Sequence, residues 1–152
     1  MYTVELETSH GVRVLGHIAL QVLGELRKSA SPYGMCVCHL ASMPGLGPEL
    51  RLFPVLSELL ARSLVGIELP EKPPRDAQEL VQGELAKLLA ETNRKVAAAS
   101  NAGETDVATL WFSYFRSVAK LDPRPRYYVK ITGEGRRRLR VDGKWADAGY
   151  TL

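Results

Sequence analysis

The chain switches between two apolar spacings. Tyr2, Val4 and Leu6 alternate with Thr3, Glu5 and Glu7, a period of two that predicts a short strand with one buried face. Gly11 turns the chain. Apolar residues at 14, 15, 18, 19, 22, 23 and 26 then predict an amphipathic helix over 12–28. Pro32 ends it, because the residue before a proline avoids helical backbone. A short apolar helix is predicted over 33–41. A turn rich in Gly and Pro follows at 43–48, with Pro48 suited to a first helical turn. The next helix is predicted over 48–63, with Leu50, Phe53, Leu56, Leu59, Leu60 and Leu64 inward. Val65-Gly66-Ile67-Glu68-Leu69 alternates again, as a strand.

The segment 70–122 reads differently. Pro70-Glu71-Lys72-Pro73-Pro74-Arg75 is a stiff linker. Asp76 with Glu79 three residues on is a capping-box pattern. It opens a helix to about Ser100, with Leu80, Val81, Leu85, Leu88, Leu89 and Val96 in one stripe. Asn101-Ala102-Gly103 breaks it. A second helix, capped by Thr105 or Asp106, carries Val107, Leu110, Trp111, Tyr114, Phe115, Val118 and Leu121. Pro123 and Pro125 end that helix. Neither helix can bury its stripe alone, so the pair must pack on itself, on the rest of the chain or on a second copy. Beyond it, 127–132 is a predicted strand able to pair with 65–69. Thr132 then caps a short helix over 133–140. Alternatively Gly133-Glu134-Gly135 turns the chain into a second strand, and Asp142-Gly143 into a third.

Composition adds limits. The chain has 152 residues, 45% hydrophobic and 24% charged, as expected for one globular domain with an elaboration. No apolar run approaches the roughly 20 residues needed to span a bilayer. Residues 1–10 lack a cationic segment followed by an apolar one. A cytoplasmic protein with no membrane partner is expected. Cys36 and Cys38 would point about 200° apart on a helix, so no disulfide is implied. With His39 they also lack the second ligand pair of a structural zinc site. No phosphate-binding Gly-rich loop before Lys-Ser/Thr, Gly-x-Ser-x-Gly or paired His-Glu helix motif is present. The expectation is a non-enzyme with no catalytic residues, cofactor or metal.

Charge changes the picture more. Nine Lys/Arg stand against three acids between Lys120 and Lys144, a local net of +6. The rest of the chain holds 11 against 14. This asymmetry favours a polyanion on one face.

Two segments carry a resemblance. Phe53-Pro54-Val55-Leu56-Ser57-Glu58-Leu59, followed by Leu64-Val65, and Tyr127-Tyr128-Val129-Lys130-Ile131-Thr132-Gly133-Glu134-Gly135-Arg136-Arg137-Arg138-Leu139 resemble the recognition helix and closing wing strand of PadR-type transcriptional regulators. Ser31-Pro32-Tyr33-Gly34 sits where such proteins often open their second helix. The likeness covers about 12–68 and 124–140. It implies an α+β winged helix-turn-helix over 1–69 and 123–152. A helical hairpin, 70–122, would be inserted between the two wing strands, either as part of the same compact unit or as a dimerisation element. Two departures stand out: the insert replaces a short wing tip, and the family's dimerising C-terminal helix has no counterpart after Leu139.

The function implied is a transcriptional regulator bound to double-stranded DNA as a homodimer. A helix that reads DNA presents polar side chains near its N-terminal half. Arg51 is suited to a base edge or phosphate, and Ser57 joins it. Arg124, Arg126, Lys130, Arg136, Arg137 and Arg138 are the expected phosphate contacts. Trp111, Tyr114, Phe115, Leu85 and Leu89 form the expected dimerisation stripe. The alternative is a winged-helix adaptor that binds protein, and an exposed aromatic stripe would favour it. A small-molecule effector is a third possibility, for which no polar constellation in the sequence identifies a ligand.

Overall fold

The computed structural model describes residues 5–8, 11–14, 16–29, 31–69, 79–103, 106–121, 125–138 and 150–151. They form a mixed α+β fold with six helices and two small antiparallel sheets among the described residues. The expected cap at Asp76, the linker 70–75, Thr105 and the possible third strand at 142–143 lie outside them.

Strands β1 (Glu5–Thr8) and β2 (Gly11–Val14) form a hairpin, with Glu5 opposite Val14 and Thr8 opposite Gly11. A two-residue strand, Tyr150–Thr151, pairs on the other side of β1. The expected helix over 12–28 is therefore shorter. Its first residues are strand, because β1 offers a partner ladder that the helical periodicity of one segment cannot reveal. Helix α1 (Gly16–Lys28) buries Ala19, Val22, Leu23 and Leu26, the apolar stripe foreseen.

The short helix foreseen over 33–41 also begins later. Met35–Cys36 is strand β3, and α2 is Val37–Ser42. The reason is a backbone partner far along the chain. Met35 lies opposite Val129 and Cys36 opposite Tyr128 on β5 (Tyr128–Ile131), and the Val37 amide donates to the Tyr127 carbonyl at 2.9 Å. Gly34, at φ +86°, makes this approach possible. A Cβ there would lie 1.9 Å from the Val129 carbonyl oxygen.

Helix α3 (Glu49–Ala61) is the centre of the fold. Leu52, Phe53, Leu56 and Leu59 are fully buried. Pro54 lies inside the helix but on its solvent side, where water can serve the Leu50 carbonyl left without an amide donor. Strand β4 (Val65–Gly66) follows and pairs with β5, Val65 opposite Ile131 and Gly66 opposite Lys130. The sheet order is β3-β5-β4. Pairing between these two segments was legible in the sequence, although only Val65 and Gly66 of the expected strand 65–69 join the ladder; so was the pleat: Tyr127, Val129 and Ile131 are buried, while Tyr128 and Lys130 are half-exposed.

Between β4 and β5 the chain makes α4 (Glu79–Asn101) and α5 (Ala108–Ala119). The N-cap position of α5 is Val107, and the Asp106 carboxylate instead accepts from the Thr109 hydroxyl at 3.0 Å. Helix α5 packs along α3 on one side and α4 on the other. The Phe115 ring stacks on Phe53 at 5.4 Å with an interplanar angle of 11°, and also meets Tyr127 at 6.3 Å. One apolar core thus runs from α4 through α5 and α3 to α1 and β5.

Residues 133–138 are helix, α6 (Gly133–Arg138), rather than strand. Thr132 decides it. Its hydroxyl accepts from the Gly135 amide at 3.0 Å and donates to the Ser63 carbonyl at 2.6 Å. The first contact is a helix cap and the second anchors that cap to the end of α3. The last strand, β6 (Tyr150–Thr151), is the one already paired with β1.

Candidate nucleic-acid interface

The surface of α3 follows from what its neighbours cover. Phe53 and Leu60 lie on one buried flank, and Leu52, Leu56 and Leu59 on another. What remains open is Leu50, 67% exposed, with Arg51 and Pro54, and half-buried Val55, Glu58 and Arg62. Arg51 sits in the first turn, and no described residue pairs with its side chain. Arg62 is engaged by Glu58 one turn earlier, so the C-terminal half of this face is charge-balanced.

Ser57 does not belong to this face. It is 2% exposed, and its hydroxyl donates to the Phe53 carbonyl at 2.6 Å. The position falls on the flank that α5 covers, which the spacing of a single helix does not disclose.

Two tethers set β5 against α3. At the front, the Tyr127 hydroxyl donates to the Glu49 carboxylate at 2.5 Å. At the rear, Thr132 reaches Ser63. Strand β5 therefore runs back along α3, from its first turn to its last. Arg126, exposed beside Tyr127, shares the front end with Arg51. Lys130, on the outer side of β5, pairs with Glu68 across the ladder at 2.7 Å, in a partly exposed contact. Such pairs contribute little and exchange readily for another anion.

Arg136 lies elsewhere. It is exposed on α6, and its guanidinium donates to the Arg27 carbonyl in the last turn of α1 at 3.5 Å. A cation suits a helix C-terminus. Among the described residues of this stretch, Arg126 thus precedes the tyrosine tied to the first turn of α3, and Arg136 reaches the end of α1. Arg124 is outside the described residues, as are the side chains of Arg137 and Arg138, whose backbones belong to α6.

The stripe expected to make a dimer is covered by its own chain. Leu85 and Phe115 are fully buried, Tyr114 is 2% exposed, Trp111 7% and Leu89 9%. An aromatic stripe requires a cover, and here α3 and α4 supply it. In this arrangement these five side chains present no face to a second copy.

The cysteines are free and half-buried. Burial, then Cys36 and Glu49 nearby, push the Cys38 thiol up to about 12. It therefore stays protonated at neutral pH, the unreactive form. Among the described residues no three His, Cys, Asp or Glu side chains are grouped to hold a metal. No described helix is long and apolar enough to cross a membrane.

Sequence reasoning missed the Tyr127–Glu49 contact, which joins residues 78 apart. It also missed the Tyr114 hydroxyl, which is buried and has no hydrogen-bond partner among the described residues. Neither leaves a local signal in the sequence. In comparisons with known proteins, no family model, no curated protein and no solved structure matches the chain.

Proposed function

We propose that the chain is a DNA-binding transcriptional regulator of the winged-helix type, PadR-like in its motifs, with a pair of helices standing where a wing tip would be. The observation that carries this reading is the front tether. Through Tyr127 and Glu49 it holds the segment that bears Arg126, and leads into β5 with Lys130, beside the first turn of α3, which bears Arg51. The element order from α1 to β5 and the sheet order β3-β5-β4 support it. A recognition helix enters the major groove by its N-terminal residues, and that is the open end of α3. Arg51 takes a base edge or phosphate, and Arg126 and Lys130 take phosphates. Ser57 has no part.

Three such cations per chain release few counterions. The logarithm of affinity should fall against the logarithm of salt with a slope of roughly −2.7 per bound chain. Fluorescence anisotropy on a random duplex pool across a salt series, with light scattering on the same sample, tests this. Arg51→Ala with Arg126→Ala should reduce the slope by about 2. Absence of binding at low salt, or a slope unchanged by the double substitution, rejects the reading.

A second reading, a protein-docking module, is favoured by a specific feature. Leu50 stands out from α3 beside an open hollow of about 590 Å³, lined also by Cys38, Ala41, Pro48 and Ala119. An apolar side chain of a protein partner fits that surface better than a phosphate does. Failure of the anisotropy experiment would shift the assignment to this module.

A further inference from the structure

Two thiols that a continuous helix would set on opposite sides are brought together by the backbone. Cys36 is not helical. It is the last residue of β3 and the N-cap of α2, extended at φ −63° and ψ 134°. An N-cap side chain turns back over the first turn, toward the second and third helical residues. Cys38 is the second residue of α2, and Cys36 makes no capping hydrogen bond with its side chain. Val37 alone separates the two cysteines. By helix geometry one helical residue places its flanking Cα atoms about 5.4 Å apart, inside the roughly 4.4–6.8 Å that disulfides span. The sulfurs act on each other: burial first, then Cys36, then Glu49 keep the Cys38 thiol protonated. Both cysteines are half-buried rather than sealed in the core, and the open hollow beside Leu50 reaches Cys38.

We propose that Cys36 and Cys38 are an oxidative modification site, closed by hydrogen peroxide into a reversible disulfide that acts on the first turn of α3 through Glu49. Cys36 attacks as the thiolate, the reactive form. It breaks the peroxide O–O bond and becomes a sulfenic acid, and the departing hydroxide takes a proton to leave as water. The Cys38 sulfur then displaces hydroxide from the Cys36 sulfur, and the Cys38 proton leaves with it as a second water. Two thiols give up two electrons and two protons, and one peroxide is reduced to two waters. A resolving thiol at hand stops the oxidation at the disulfide, short of the irreversible acids. With one residue between the cysteines the ring is small, and strained or exposed disulfides are the readily reduced ones. Glu49 lies beside the Cys38 thiol and is also the acceptor for the Tyr127 hydroxyl. Oxidation removes the thiol from that carboxylate, so the contact between Glu49 and Tyr127 readjusts. Nothing in this assignment depends on DNA binding.

The test treats the full chain, reduced and freed of reductant, with a small excess of hydrogen peroxide and reads its intact mass. A monomer lighter by about 2 Da, restored by dithiothreitol, is expected. The amide resonances of residues 49 and 127 should shift on oxidation and return on reduction. Cys38→Ser should stop at a sulfenic acid on Cys36, trapped by dimedone. Cys36→Ser, which leaves only the protonated thiol, should react at least about ten-fold more slowly. The mass and NMR readouts on the unsubstituted chain stand even if a variant fails to fold. Gain of oxygen without loss of the two hydrogens, or a disulfide between chains instead of within one, overturns the proposal. So does a Cys36→Ser chain that reacts as fast as Cys38→Ser, or a disulfide that leaves residues 49 and 127 unmoved.

Discussion

The two ends of α3 are held by different chemistry. At the rear, close backbone approach does the work. Gly135 sits against the Leu64 carbonyl, where a Cβ would come within 2.2 Å, and Thr132 caps α6 while gripping Ser63. At the front, a side-chain hydrogen bond from Tyr127 to Glu49 ties the residue before β5 to the helix. Backbone packing has almost no freedom to yield, because atoms in direct contact cannot be compressed. A phenol and a carboxylate can part and re-form as their surroundings change. The end of α3 that carries Arg51 is therefore held by a contact that a substitution can remove without steric conflict, and the end near α6 by one that it cannot.

The largest effect should come from violating the rear. Gly135→Ala forces a methyl into the Leu64 carbonyl and should cost about 3 kcal/mol, read as a lower midpoint in urea. A loss under about 1 kcal/mol would show that α6 shifts easily and that the rear is not rigid. Tyr127→Phe keeps the ring against Phe115 and removes the bond to Glu49. It should cost about 1.5–3 kcal/mol, as for hydrogen bonds to charged groups. On the proposed reading it should also weaken duplex binding, whereas Gly135→Ala, measured where it is still folded, should not. If both substitutions weaken binding equally, the distinction between the ends collapses. The smallest effect is expected from Arg136→Ala. It loses one exposed contact to the end of α1, worth up to about 1 kcal/mol, and should leave the salt dependence of duplex binding unchanged. A slope reduced by about 1 would place Arg136 at the DNA after all.

The sequence was most legible where a pattern is local. Most of the stripes of α1, α3, α4 and α5, the partnership of Val65 and Gly66 with β5 and the Thr132 cap follow from spacing or from single capping residues, whereas Leu50 and Leu80, expected inward, are exposed near the starts of α3 and α4. Helix starts were least legible. Residues 11–14 are strand because the neighbouring β1 completes their hydrogen bonds, and residues 35–36 because the distant β5 does. A helical moment computed over neighbours is blind to such partners. Ser57 shows the same limit at the level of one side chain: it is polar, in a helix, and buried, because α5 lies over it.

What the chain determines by itself is therefore which faces must be covered and where elements stop. Apolar periodicity fixes the first, since burial is driven by area regardless of what supplies the cover. Proline, glycine and capping side chains fix the second through local backbone energetics. The tertiary structure alone decided what does the covering. It gave the aromatic stripe of α5 to α3 and α4 within one chain, set Arg136 against the end of α1, and left the Tyr114 hydroxyl without a hydrogen-bond partner among the described residues. Each of these depends on which segments, tens of residues apart, come to lie within a few ångströms, and that is settled by the joint packing of the whole core.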